Sequence, residues 1–469
     1  MPVIIENEIQ EHSLRALAEQ LRQGSIRASD IAQSCSKAYE KHEAQLGAYK
    51  AWNGTGMLES AELADRLFMA GRDLGPMQGI PFSAKDLYGV PQLPVFAGSP
   101  NALPTVWQTP GPLVNTLLKQ MAPVAGKTHT VEFAYGGLGT NPHWAPPRNP
   151  WDSQAVRVSG GSSSGAGVSL IEGSALLALG TDTAGSVRVP ASMTGTVGLK
   201  TTKHLWSTDG IVPLSTSFDT PGLLARTVDD AVFGFEALQG ASVPILQSLV
   251  GVRSGVPDAF FWDDCENSIS DTVQQSIKEL ERAGATLVSM EIDHAAEAYG
   301  YFQKGGLTPP ELYQFLKQNL PDWIETLDPN VRARMEAAKD FPAWEYLHRA
   351  ERFRFFGALA AKRLQDVDFL VSPSVPATPP TLDELKPDGE YGRINIKALR
   401  NTCIGNVLGL CGLTMPVGLD KANMPVGLLL TAKPFSEVRL LSVAAQIEKV
   451  LGNAKQRLGT APLLNAARD

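Results

Sequence analysis

Apolar residues recur at three- and four-residue spacings, with charges between them, over 13–22, 28–46 and 57–70. That period predicts three amphipathic helices, and Gly24 and Gly71 stand where two of them should stop. From Gly79 the texture changes. Short apolar runs (GIPFSA from Gly79, APVAG at 122–126, ALLALG at 175–180) alternate with helical patterns near 111–120, 163–172 and 227–238. Strand–helix alternation of this kind predicts an α/β fold around a largely buried sheet. Residues 250–257 and 285–292 read as strands flanking an amphipathic helix over 267–283. A long helix over 343–365 precedes VDFLVSPSVPATPP, read as a buried strand ending in a proline-rich turn. GLTMPVGL and MPVGLLLT are two further strands joined by the DKAN turn. The Pro-punctuated, aromatic-rich stretch 299–345 supports no assignment. With neither an internal repeat nor a linker, the pattern predicts one domain over 1–469, opened by N-terminal helices within 1–75.

Composition narrows the function classes. The 469 residues carry 41 basic and 49 acidic side chains, a net charge of -8, and no basic block. That balance argues against nucleic-acid binding. No uncharged apolar run reaches the roughly 18 residues a spanning helix needs, so no membrane association is expected. The opening MPVIIENEIQEHS has neither the basic nor the apolar region of a signal peptide. Cys35, Cys265, Cys403 and Cys411 are scattered, which suggests neither a zinc site nor a disulfide framework and makes a cytoplasmic location the expectation. The 43 glycines are unevenly placed: twelve fall within 136–200, between apolar runs that no flexible linker would carry. Such backbone must pass close to something or adopt positive φ, as active-site loops do.

Several short patterns are decoys. GKT at 126–128 has Met121 where a phosphate-binding loop needs glycine. Glu345 and His348 form one E-x-x-H, whereas a di-iron bundle needs two. His129, Glu132 and His143 read more simply as loop or core residues than as metal ligands, and Asp263, Asp264 and Glu266 as a solvated helix start. A stronger competitor is Gly161-Ser162-Ser163-Ser164-Gly165, which satisfies the G-x-S-x-G elbow of α/β-hydrolase esterases with Ser163 as nucleophile. Nothing singles out His204, His294 or His348 as its partner, and the usual oxyanion loop is missing.

Three segments fit together better: Gly79-Ile80-Pro81-Phe82-Ser83-Ala84-Lys85-Asp86, Gly160 through Gly165, and GTDTAGSVRVPA at 180–191. In these the chain resembles the amidase signature family, whose hydrolases use a Ser–cis-Ser–Lys triad. Blocks at 131–152, 195–202, 210–230, 368–380 and 423–430 extend the likeness in the same order, leaving 293–342 the weakest part. The resemblance implies an amidase signature fold, a large mixed sheet covered on both faces by helices, with the signature core over 76–240. It implies Ser186 as nucleophile, Ser162 as bridging serine after a cis peptide bond, and Lys85 as base. The backbone N–H groups of Thr183, Ala184, Gly185 and Ser186 would surround the oxyanion, and Asp182 and Arg188 would clamp the loop. Ala184 departs from the glycine many members carry, and its methyl group should narrow the pocket.

The chemistry suits the residues. A serine attacking an amide needs its proton removed and its oxyanion met by fixed donors. Lys85 is a base only when neutral, so burial must pull it well below its usual value of about 10.4. Asp86 would oppose that unless it points elsewhere. The expected reaction is hydrolysis of a carboxamide, through an acyl-enzyme on Ser186, to an acid and an amine or ammonia, with a small-molecule substrate and neither cofactor nor metal. An amidase subunit of a tRNA-dependent amidotransferase and an inactive amidase-like binding protein are the alternatives, and homodimerisation is the family-level expectation. Tyr135, Trp144, the 210–220 loop and the 293–342 stretch are candidate pocket lining. Within that stretch Tyr299, Tyr301, Phe302 and Trp323 suggest an aromatic or apolar acyl group. No arginine cluster is evident, which argues against dicarboxylic substrates unless Arg157 or Arg226 faces the pocket.

Overall fold

The computed structural model describes residues 9–257 and 259–465; the segment 1–8 that bears on targeting lies outside them. Helices α1 (Leu14–Gln23), α2 (Ala28–Leu46) and α3 (Gly54–Met69) form where the three- and four-residue period placed them. Ser13 caps α1 by accepting from Ala16 N (3.3 Å), one of the N–H groups a helix start leaves unpaired.

Eleven strands make one sheet: β1 (Tyr49–Trp52), β2 (Phe82–Lys85), β3 (Val124–Thr128), β4 (Leu177–Asp182), β5 (Val197–Lys200), β6 (Thr220–Ala225), β7 (Arg253–Pro257), β8 (Thr286–Met290), β9 (Phe369–Pro373), β10 (Cys411–Leu419) and β11 (Pro425–Ala432). Their order is β1-β3-β2-β4-β6-β5-β10-β11-β9-β7-β8. β2 runs parallel to β3 and β4, while β4 and β6 are antiparallel, so the sheet is mixed. Every residue of β2, β3, β4, β5, β6 and β9 is buried, as the uninterrupted apolar runs anticipated.

Helices flank the sheet: α4 (Pro112–Lys119), α5 (Ser164–Glu172), α6 (Arg188–Thr194), α7 (Val228–Gln239) and α8 (Asn267–Arg282). The unassigned stretch after β8 is helical, as α9 (Ala295–Gln303), α10 (Thr308–Asn319) and α11 (Pro329–Glu336), and leads into α12 (Ala343–Arg363). An unanticipated helix, α13 (Glu390–Val407), lies against α6 and β10, and α14 (Glu437–Leu451) follows β11. Among the described residues no helix is long and apolar enough to cross a membrane.

The parallel pairing of β2 with β4, Ala84 opposite Leu179, brings Lys85 and Thr181 together at the C-terminal ends of their strands. β6 pairs Thr220 with Asp182, so Asp219 and the 210–219 loop reach the same edge. Carboxyl ends of parallel strands are where sites in α/β sheets form.

Candidate active site

Three lysines are fully buried among the described residues, and their partners separate them. Lys127 pairs with Asp86 (3.1 Å), and Lys200 donates to the carbonyls of Thr201 and Leu410 (2.8 Å each). Lys85 instead donates to two hydroxyls, Ser162 Oγ at 2.7 Å and Thr181 Oγ1 at 2.8 Å. Burial drives the Lys85 ammonium down to about 7 against the opposing charges of Asp219 and Asp182. Asp86 does point away, towards Lys127 and the Phe96 N–H. The GKT decoy is therefore the strand β3, with its lysine held in a buried ion pair.

Ser162 is fully buried, and the Gly161–Ser162 peptide bond is cis. Its carbonyl accepts from Val131 N (3.1 Å) and Ser164 N (2.8 Å), which pins the Gly/Ser loop at the start of α5. The next residue reaches the third member of the constellation, since Ser163 N donates to Ser186 O (3.2 Å). Ser186 is 4 % exposed and lines a cavity of about 250 Å³. Ser163 is wholly buried and its hydroxyl donates to the Thr181 carbonyl (3.3 Å), so no histidine activates it and the esterase reading loses its nucleophile. His348 bonds the Tyr301 hydroxyl (3.1 Å) and His294 bonds Glu297 (2.9 Å).

Asp182 and Arg188, both fully buried, form a two-pronged pair with 3.0 Å contacts. Burial alone would raise the Asp182 carboxyl, but Arg188 and its other donors bring it down to about 2. The same carboxylate accepts from Gly185 N (2.8 Å) and Val187 N (3.1 Å). This corrects the oxyanion set: the Gly185 N–H serves the loop itself. The N–H groups of Thr183, Ala184 and Ser186 donate to no other group among the described residues. Gly185 is required for a different reason: at φ +133° a Cβ there would lie 2.1 Å from Thr402 Oγ1. Ala184 lines the cavity, so its methyl group takes up space there.

Several supporting residues escaped the sequence reading. Thr402 donates to Ala184 O (2.8 Å), and Asn406 bridges Arg188 (2.6 Å) and Asp182 (2.9 Å). Both lie on α13, whose apolar period is weak. Asp219 accepts from Thr183 Oγ1 (2.6 Å) and from the N–H groups of Leu214 and Ser215 (2.9 Å each), and burial raises its carboxyl to about 6. Thr181 and Asp219 sit inside the matching motifs, which was the available signal.

The cavity wall includes Tyr135, Leu214 of the 210–220 loop, Phe302 and Leu399, with Arg334 of α11. Trp144 is a correction: it packs against Phe96 and Lys50 and bonds Ser99 O (3.2 Å), away from the cavity. Tyr299, Tyr301 and Trp323 are not in the lining either. Arg157 pairs with Asp152 (2.7 Å) and Arg226 with Asp230 (2.9 Å), so the arginine at the cavity is neither of those considered. A larger cavity of about 790 Å³ lies by His204–Gly210, sharing Ala134 and Leu214 with the first but without Ser186. Among the described residues no group of three or more His, Cys, Asp or Glu is placed to hold a metal.

The chain is 50% identical over 455 residues, 96% of its length and 98% of the relative's, to a 2-amino-5-chloromuconic acid deaminase of Comamonas testosteroni. It is 31% identical to an amidase of Pseudomonas putida, covering 93% of this chain and 95% of that one. A crystal structure of an amidase superposes with a TM-score of 0.85 at 26% identity, covering 94% of this chain and all of the other. The family model Amidase matches residues 30–441. With the signature motifs, the sheet they build and these likenesses in agreement, the chain belongs to the amidase signature family and is a hydrolase of non-peptide C–N bonds.

Proposed function

We propose that the chain cleaves a C–N bond of a small substrate through Ser186, with Ser162 as proton relay and Lys85 as base, and releases ammonia. One observation carries the reading: a fully buried Lys85, brought to about 7, stands 2.7 Å from Ser162 Oγ. A lysine near 7 is substantially neutral at physiological pH and takes a proton through Ser162. On a carboxamide, Ser186 Oγ adds to the carbonyl carbon as its proton passes to Ser162 and on to Lys85. The C–N bond then breaks, the proton returns to the departing nitrogen as ammonia forms, and water hydrolyses the ester left on Ser186. The free N–H groups of Thr183, Ala184 and Ser186 support a role as oxyanion donors, each such donor typically contributing about 10²–10³ in rate. Asp182 and Arg188 hold that loop without touching substrate. The similar deaminase removes nitrogen from an amino-substituted acid, which supports ammonia as the leaving group here. Four unpaired cysteines support a reducing, cytoplasmic setting.

The test is an amide panel (aliphatic, aryl, ureido, glutamine and acid-bearing amides) assayed with wild type, Ser186→Ala and Lys85→Ala. Loss of turnover in both variants, with folding retained, is expected. Full turnover by Ser186→Ala refutes the mechanism, and activity on glutamine alone, only with a partner protein, would make the chain an amidotransferase subunit.

A further inference from the structure

We propose that the Ser186 cavity selects substrates by a carboxylate group and that Arg334 is the residue that binds it. This deepens the reading of the site as a C–N hydrolase and rests on it. Arg334 is part of the cavity wall, which has no aspartate or glutamate in its lining. Its neighbour on α11, Arg332, pairs with Glu325 and Glu336, but Arg334 has no carboxylate within salt-bridge distance among the described residues. Its guanidinium is aimed by neutral groups instead: Nε donates to Asn330 O (2.9 Å) and Nη2 to Tyr135 O (2.5 Å). It lies over the Tyr135 ring at 4.2 Å and nearer the edge of reach of Tyr391 at 5.8 Å. Stacking and carbonyl bonds fix the plane and leave the fork's Nη1 without an acceptor. A planar fork held this way is the geometry that receives a carboxylate.

Tyr391 packs beside the same guanidinium. Its Oη is buried against Gly136, outside the cavity lining. A Cβ on Gly136, itself in the cavity wall, would stand 2.6 Å from Tyr391 Oη and 3.9 Å from Arg334 Nη2. Glycine at 136 therefore lets the Tyr391 hydroxyl close against the cavity wall beside Arg334. Lys304 at the cavity adds a second positive charge. Phe302, Ile396 and Leu399 supply an apolar wall, which suits a carbon chain between the two polar ends. The cavity, of about 250 Å³, is that of a small molecule. The substrate class is therefore a small acid whose scissile C–N group and recognition carboxylate are carried on one carbon skeleton, such as the monoamide or amino derivative of a dicarboxylic acid.

The experiment has two arms. In the first, wild type, Arg334→Gln, Arg334→Lys and Ser186→Ala are assayed with adipic acid monoamide and with hexanamide, its uncharged analogue. Wild type should favour the acid by 30-fold or more in kcat/KM; Arg334→Gln should cut that preference at least tenfold, mainly through KM, and Arg334→Lys should restore part of it. In the second, muconate dianion and its dimethyl ester are titrated into folded Ser186→Ala, with and without Arg334→Gln. The dianion should bind at least tenfold more tightly than the ester, and the second substitution should remove the difference. Equal affinity for dianion and ester, or a preference that survives Arg334→Gln, overturns the proposal whatever the enzyme turns over. Turnover by Ser186→Ala would overturn the triad and leave the binding comparison standing.

Discussion

Replacing Lys85 with methionine should change the pH dependence of stability in a way that measures the lysine's own ionisation. In the folded chain burial holds Lys85 near 7, against 10.5 for an unperturbed lysine. Between those values the unfolded chain carries a proton there that the folded chain lacks, so wild-type stability rises with pH through this window. At pH 7 the mismatch costs the wild type about 4 kcal/mol, and at pH 9.5 about 1 kcal/mol, because one pKa unit is worth about 1.36 kcal/mol. The side chain is fully buried, so solvent does not screen the effect. Methionine has similar bulk and no charge. It forfeits the bonds to Ser162 and Thr181, a loss that does not follow this titration. Every other buried acid and base is common to both proteins. The stability of Lys85→Met relative to wild type should therefore fall by about 3 kcal/mol between pH 7 and 9.5. Reversible urea unfolding of both proteins at half-unit steps provides the comparison. Parallel curves across that range would mean that Lys85 ionises normally in the fold, and the neutral-base mechanism would lose its footing.

The same ionisation should appear in catalysis as kcat/KM rising with pH through about 7, since the base acts in its neutral form; a profile flat from pH 5.5 to 8.5 would contradict it. Asp219→Asn removes a nearby anion that favours the Lys85 cation, so the rising limb should move to lower pH, while kcat falls because one of the two oxygens that hold Thr183, Leu214 and Ser215 becomes an amide nitrogen that cannot accept; an upward move would be the wrong sign. Asp182→Asn leaves the Arg188 guanidinium buried without its counter-charge, a change that typically costs about 3–5 kcal/mol and should show as a clear drop in the urea midpoint. Ser163→Ala removes only a 3.3 Å bond to a carbonyl and should retain most of the activity; a dead variant would reopen the serine–histidine reading.

How far the sequence could be read depended on whether the deciding force was local. Helices α1 and α2 and the strand β4 carry their apolar period or run within their own residues, and each lies within two residues of its expected bounds. β1, only YKAW, was invisible because its identity comes from pairing with β3 and from Tyr39 stacked on Trp52 at 4.0 Å. The motif-bearing loop was legible because close approach leaves glycine behind. What the glycine approaches was not: Gly185 meets Thr402, more than two hundred residues away, on a helix whose buried face interleaves asparagine, threonine and glycine with its apolar residues. The Gly185 N–H shows the same limit. Motif position identifies which backbone groups are nearby, whereas the acceptor that claims one of them, Asp182 Oδ1, is settled by folding. Arg334 is the extreme case. Nothing around NVRARME distinguishes Arg332 from Arg334, two positions apart on one helix, yet the first meets Glu325 and Glu336 and the second meets an open cavity. Residues that hold the reacting groups are constrained by geometry that recurs wherever the chemistry does, and so they announce themselves as a pattern. Residues that choose the substrate answer only to one cavity's shape and charge, which exist once the chain has closed around them.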